Sequence, residues 1–286
     1  MSKTIARNMV AFMDRGLIVL NKPAGVVAQG GRHVLENKTS TLEHVLEDLT
    51  TSLSLISKPL PVHRLDKLTT GALMLARNSQ VAQTLSSQLC RNAIIKTYLA
   101  VVRGSFEPES NGEIQENLFI TNGRVSAQRN PKGADCKEVP THTTWRCLSS
   151  REDVSLMELG LKTGVKHQLR VTMAQILNAP ILGDNVYGPA NSTEEPRLML
   201  HSAHLDIRRY LRKPSLGRRT YRLGLVVPPP SEFLSTCQSL GIPIGEKWTQ
   251  SPVRVLIDGS DIAYDPSYPL DEKTVIKALK KNQMHF

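Results

Sequence analysis

The sequence has no run of about eighteen apolar residues, the length a membrane helix requires, so no membrane partner is expected in its 286 residues. It has no C-x-x-C pair: Cys90, Cys136, Cys147 and Cys237 are scattered. That excludes a zinc framework and a disulfide scaffold, and suits reduced thiols in the cytosol, nucleus or mitochondrial matrix. There is no P-loop, no G-x-G-x-x-G and no G-x-S-x-G, which sets aside the commonest nucleotide-binding and serine-hydrolase signatures. Internal repeats and low-complexity tracts are missing too. Acidic side chains are few, 26 against 36 Lys plus Arg, for a net charge of +10. Such a balance points to a polyanionic partner, nucleic acid first, although basic proteins without a binding site of their own share it.

What remains is an ordinary globular composition, 40% apolar and 22% charged. It excludes a wholly disordered chain, a collagen and a coiled coil. The length suits one large domain or two small ones. Leu17 to Leu20 reads as a strand, followed by a turn at Asn21-Lys22-Pro23-Ala24-Gly25. Ser40-Thr41-Leu42-Glu43 is a capping box ahead of a helix with Leu42, Val45, Leu46 and Leu49 on one face. Ala72 to Ala76 is a short apolar run, read as a buried strand. Asn78 or Ser79 caps a second helix. Thr97 to Val102 and Ser155 to Leu159 are strand-like, and residues 104 to 141 read as hairpins and an exposed loop. Thr163 is placed as the cap of a third helix with a Val165, Leu169, Met173, Ile176 stripe. Ala203 to Ile207 and Tyr221 to Leu225 alternate like half-buried strands. The mixture predicts an α+β or mixed α/β domain.

Three stretches could carry chemistry. His63-Arg64-Leu65-Asp66-Lys67-Leu68-Thr69-Thr70-Gly71 precedes the apolar strand. An Asp in such a loop can be a nucleophile, a general base, a metal ligand or a helix cap. Thr163 to Arg170 would place Lys166 and Arg170 on one face of a helix start, the cationic setting an ionised Asp needs in a dry pocket; both could equally face solvent. Lys96, Tyr98 and Ala100 share one face of a strand, where a Tyr can stack on a nucleobase or simply fill the core. His201-x-x-His204 is no metal site, because strand positions three apart point to opposite faces; no metal ligand set is expected.

These segments, in this order, resemble the RluA family of pseudouridine synthases. The resemblance rests on H-R-L-D-x-x-T-[ST]-G at His63 to Gly71, on Asn21 to Gly25, on Lys96-x-Tyr98-x-Ala100-x-x-x-Gly104, and on His167-Gln168-Leu169-Arg170. Gly183-Asp184-Asn185-Val186-Tyr187-Gly188 and Leu200-His201-Ser202-Ala203 complete it. One departure is Val165, where the family usually has Arg. The match covers roughly residues 15 to 240, so the chain divides into a short segment at 1–14, a catalytic domain at 15–240 and an extension at 241–286.

The resemblance implies an α+β pseudouridine synthase fold, with a mixed, mostly antiparallel central sheet and a catalytic cleft across it. It implies isomerisation of uridine in RNA without any cofactor. Asp66 is then the catalytic carboxylate, Arg170 the cation that keeps it ionised, and Tyr98 the ring stacked on the flipped base. Arg64 would enter the space the uridine leaves, with His63, Thr70, Lys166 and Leu169 also around the substrate. Among the eight basic residues between Arg197 and Arg222, Arg208, Arg209, Arg212 and Arg218 are read as a phosphate track, or as a solvated basic hairpin. The partner is RNA, ribosomal first and transfer RNA second, met by a monomer. The faintly basic start is most like fungal mitochondrial members that modify large-subunit ribosomal RNA, with cytoplasm or nucleus as alternatives. Val165 motivates a competing reading, a catalytically idle RNA-binding or ribosome-assembly factor with the same fold.

Overall fold

The computed structural model describes residues 3–27, 41–129, 136–189 and 197–283. In chain order its elements are α1 (Lys3–Asn8), β1 (Val10–Met13), β2 (Leu17–Lys22), α2 (Leu42–Ser52), β3 (Leu60–Pro61), β4 (Thr70–Ala76), α3 (Ser79–Cys90) and β5 (Ile95–Arg103). Then come β6 (Asn111–Thr121), β7 (Arg124–Ser126), β8 (Cys136–Arg151), β9 (Val154–Leu161) and α4 (Gln168–Val171), the last continued by a π-helical turn over Thr172–Ile176. The chain closes with β10 (Leu200–Ser215), β11 (Arg218–Val226), α5 (Ser231–Ser239), α6 (Glu246–Thr249), β12 (Arg254–Ile257), β13 (Ser260–Ile262) and α7 (Glu272–Gln283). This is an α+β protein with mixed, mostly antiparallel strand pairing: β1-β2, β2-β4, β10-β11, β5-β9, β6-β8 and β8-β9 are antiparallel.

Two compact units share the chain. The first takes Met1–Ile95, Ser202–Pro228 and Glu246–Phe286. Its strands run in the order β1-β2-β4-β10, with β11, β12 and β13 following on from β10. All of β4 is buried, as its unbroken apolar run predicts for a central strand. Strand β10 instead alternates: Leu205, Ile207 and Leu211 join Phe12, Leu17, Met74, Leu223 and Val255 in one core, while Arg208 and Tyr210 face outward. Helix α3 starts as expected, its Asn78 side chain accepting from Val81 N at 2.9 Å. For α2, Ser40 of the expected capping box lies outside the described residues. The cap position is Thr41, whose side chain makes no bond to the helix backbone; Glu43 of the same box pairs with Lys58 instead.

Residues from Glu246 onward are built into this unit. Strand β12 pairs with β11 from Leu223↔Ile257 to Val226↔Arg254, and Val275 and Leu279 of α7 enter the same core as Phe12.

One assignment in this unit needs correction. Arg209 points inward between Ile207 and Leu211 and is 8% exposed. Both Asp14 carboxylate oxygens accept from its Nη2, at 2.7 and 2.6 Å, and Asp14 Oδ1 also accepts from Gly16 N and Leu17 N. Strand alternation puts Arg209 on the core face, where a guanidinium needs an internal counter-ion. It is a structural cation and not a phosphate contact.

The second unit takes Lys96–His201 and Pro229–Gly245. Its strands run β5-β9-β8-β6-β7; the polar stretch expected to be hairpins folds as β6, β7 and β8, with residues 130–135 outside the described set. The expected third helix is shorter than the apolar stripe suggests. It begins at Gln168, because His167 takes a left-handed conformation (φ 55°) that cannot continue a helix backward. Thr163 therefore caps nothing: its hydroxyl donates to Gln168 Oε1 at 2.9 Å and accepts from His142 N. Lys166 precedes the helix, so it and Arg170 do not share a helical face.

Candidate active site

In the first unit, the residues around Asp66 are held by a buried ammonium. Lys22 is 1% exposed. Its Nζ donates to the carbonyls of Pro23 (3.0 Å), Val26 (3.2 Å) and Lys67 (3.2 Å). Gly25 N also donates to Lys67 O, at 2.8 Å. The Asn21–Gly25 turn and the loop carrying Asp66 are thus tied together at the residue after the carboxylate. Nothing in the sequence distinguished Lys22 from a solvated lysine. His63 secures the other side of the loop, its Nε2 accepting from Met74 N of β4 at 2.8 Å. The backbone then closes a turn, with Thr69 N donating to Asp66 O at 3.2 Å.

Asp66 is half-buried and Arg64 is exposed, while Leu65 and Thr69 are buried between and after them. Thr70 is 1% exposed at the start of β4. Gly71 follows with φ +104°, and a Cβ there would lie 2.2 Å from Ser202 O of β10. Only glycine fits that approach.

In the second unit, Arg170 is the centre of a buried polar cluster. Its Nε and one Nη donate to Asp184 Oδ2 and Oδ1 at 2.7 and 2.6 Å. The two side chains are 6% and 0% exposed. Asp184 Oδ1 also accepts from Val186 N and Tyr187 N. Burial alone pushes the Asp184 carboxyl up, but the Arg170 hydrogen bond and charge together with those two backbone donors hold it below the ordinary value. The Arg170 guanidinium lies 5.4 Å from the Tyr187 ring centroid, and Tyr187 Oη is 3.1 Å from His167 Nδ1. Asp184 and Tyr187 belong to a motif the sequence offered without a role for either.

Gln168, 2% exposed, braces the same segment. Its Oε1 accepts from Thr163 Oγ1 and Val165 N, and its Nε2 donates to His142 O and Thr143 Oγ1. Leu169 is buried beside it. Val165 packs on the Leu118, Val125 and Val171 cluster, so the position that departs from the family pattern is spent on apolar contact. Lys166 is exposed and donates to Gly123 O at 2.9 Å. On β5, Lys96, Tyr98 and Ala100 share the expected face, and all three are buried. Burial lowers the Lys96 ammonium below its ordinary pKa.

Of the remaining cations read as a phosphate track, Arg218 pairs with Asp258 and Arg212 approaches Glu272. Arg208 has no carboxylate partner among the described residues. No group of His, Cys, Asp and Glu among the described residues could hold a metal ion, and no described helix is long and apolar enough to cross a membrane.

Residues 16–175 match the family model described as RNA pseudouridylate synthase. An uncharacterised RNA pseudouridine synthase of Zymomonas mobilis is 34% identical over 73% of this chain and 92% of its own length. Ribosomal large subunit pseudouridine synthase D of Borreliella burgdorferi is 35% identical over 69% of this chain, but the match spans only 60% of that longer enzyme. A mitochondrial pseudouridylate synthase of Bos taurus is 28% identical over 85% of this chain and 71% of its own length. Among solved structures, human RNA pseudouridylate synthase domain containing 4 superposes with a TM-score of 0.64 at 24% identity, covering 85% of this chain and 97% of that one.

Proposed function

The chain belongs to the RluA family of RNA pseudouridine synthases, isomerases that act on RNA, and from that premise we propose that it converts specific uridines of ribosomal RNA to pseudouridine with Asp66 as the catalytic carboxylate. The chemistry is an internal rearrangement. The N1–C1′ bond breaks and the uracil turns within the site. C5 bonds to C1′, the C5 proton leaves, and N1 takes up a proton. Electrons and atoms balance without an oxidant or reductant.

Asp66 carries the reading because its loop is tethered at Lys67 and at His63 while the carboxylate itself stays half-buried. A nucleophile or cleavage-promoting carboxylate needs such fixed placement. Arg170 is assigned the role of keeping Asp66 ionised; the Asp184 pair that locks its guanidinium plane supports this. Tyr98 is assigned to the base. Exposed Arg64 is assigned to the vacancy left by the flipped nucleotide, whose extrusion costs a few kcal/mol. Leu169 and Lys166 belong to the same substrate region.

The proposed target is large-subunit ribosomal RNA in mitochondria. The Borreliella relative named for the large ribosomal subunit supports the RNA, and the bovine relative named as mitochondrial supports the compartment. Pseudouridine mapping of organellar and cytoplasmic RNA from cells lacking the protein tests both. The reading expects sites to disappear from mitochondrial ribosomal RNA; loss confined to transfer RNA would redirect it.

A further inference from the structure

Several cations of the first unit answer to a carboxylate. Arg209 is held by Asp14, Arg218 by Asp258, Arg222 by Asp206, and Arg15 by Glu272. Arg91 and Arg208 make no ion pair or side-chain hydrogen bond among the described residues. Both line one groove of about 400 Å³.

The groove lies between the C-terminal half of α3 and the outward face of β10, with Thr84, Ser87 and Gln88 on one wall and Arg208 and Tyr210 on the other. Gln88 is 8% exposed and fixes the two walls together. Its Nε2 donates to Arg208 O at 3.0 Å, and its Oε1 accepts from Arg208 N at 3.2 Å. The Arg208 backbone is therefore pinned while its side chain is left to the groove. Arg91 takes the C-cap position of α3, where its charge complements the carbonyl end of the helix. Asp206 shares the outward face of β10, but its carboxylate is engaged by Arg222 Nε at 2.7 Å. Tyr210 is 48% exposed, a bare ring two residues along the same face.

Two uncommitted guanidinia, hydroxyls and an open aromatic ring within a nucleotide-sized groove match the chemistry of an RNA strand. Arg forks phosphate bidentately, and a tyrosine ring stacks on unpaired bases. We propose that this groove is an RNA subsite, holding a backbone phosphate between Arg91 and Arg208 and an unpaired base on Tyr210. The inference rests on the RNA-isomerase reading, and it assigns the grip on the substrate to α3 and β10.

The test uses the full chain and an RNA that the wild type modifies. Binding is titrated across a salt series, and pseudouridine formation is followed at varied RNA concentration. Because neither guanidinium makes an ion pair or a side-chain hydrogen bond in the fold and Arg91 contributes only its charge at the end of α3, Arg91→Gln/Arg208→Gln stays within a few degrees of the wild-type melting temperature. Its slope of log affinity against log salt flattens by about one to two, its KM rises, and kcat at saturating RNA stays within about twofold. Tyr210→Ala weakens binding by roughly tenfold or more, whereas Tyr210→Phe binds as the wild type does. Lys273→Gln on exposed α7 leaves the slope unchanged. A double variant with wild-type slope and KM, on an RNA the wild type still modifies, overturns the subsite alone. A wild type that modifies no RNA removes the premise, and the subsite falls with it.

Discussion

Arg170 and Asp184 form a two-bond ion pair from which solvent is nearly excluded, with 6% and 0% of their side chains exposed. Asp184 is thereby a second, buried acid, distinct from half-buried Asp66. Breaking such a pair from one side leaves an uncompensated charge, at a cost of about 3–5 kcal/mol. Asp184→Ala should lower stability by that order in urea unfolding. Replacing both residues, as Arg170→Met/Asp184→Leu, should restore much of the stability and none of the activity.

The same pair sets an acid limit. The Asp184 pKa in the folded protein lies below its ordinary value of 3.8. The unfolded chain therefore binds the proton first as pH falls. The stabilisation is fully present above that ordinary value and is lost as pH drops through the folded-state pKa. Unfolding followed from pH 7 to pH 2 should show stability falling through this acidic window, and Asp184→Asn should have lower stability at neutral pH with a weaker acid dependence.

Arg209 separates structural from RNA-binding charge. Arg209→Gln should destabilise the protein, since Asp14 loses its buried partner. Any RNA affinity measured on the folded fraction should keep the wild-type salt slope. A flattened slope would return Arg209 to the phosphate contacts.

Lys22 links packing to catalysis. Lys22→Met removes the ammonium donor from three carbonyls, those of Pro23, Val26 and Lys67 beside the proposed catalytic Asp66, the last of which keeps its bond from Gly25 N; each lost buried bond costs on the order of 1–3 kcal/mol. The expected result is a lower melting temperature and a kcat reduced at least tenfold with KM little changed, because the loop loses its placement and the RNA contacts remain. An unaltered kcat would show that the tether is not needed.

Gly71→Ala tests the close approach behind the same loop. A methyl group 2.2 Å from Ser202 O at φ +104° should leave the protein poorly folded, read as loss of soluble yield and of the cooperative melting transition.

The sequence revealed what is local. The apolar run at Ala72–Ala76 was enough for a central strand, and Asn78 was enough for a helix start, because burial and capping act within a few residues. The helix after Thr163 was misplaced because a single left-handed residue, His167, decides its start, and composition does not mark such a residue. Arg209 looked like its neighbours Arg208 and Arg212; its difference comes from Asp14, which lies 195 positions away in the chain. Asp66 and Arg170 were visible through a family resemblance. Lys22, Gln168 and Asp184 stood in the same motifs, but their roles are buried hydrogen bonds that only the folded backbone displays.

The most direct test of the account is pseudouridine mapping in cells lacking the protein, complemented with wild type or with Asp66→Ala at equal expression. The account predicts that the wild type restores the missing pseudouridines while Asp66→Ala, still folded and still binding RNA, restores none. Equal restoration by both proteins would contradict it.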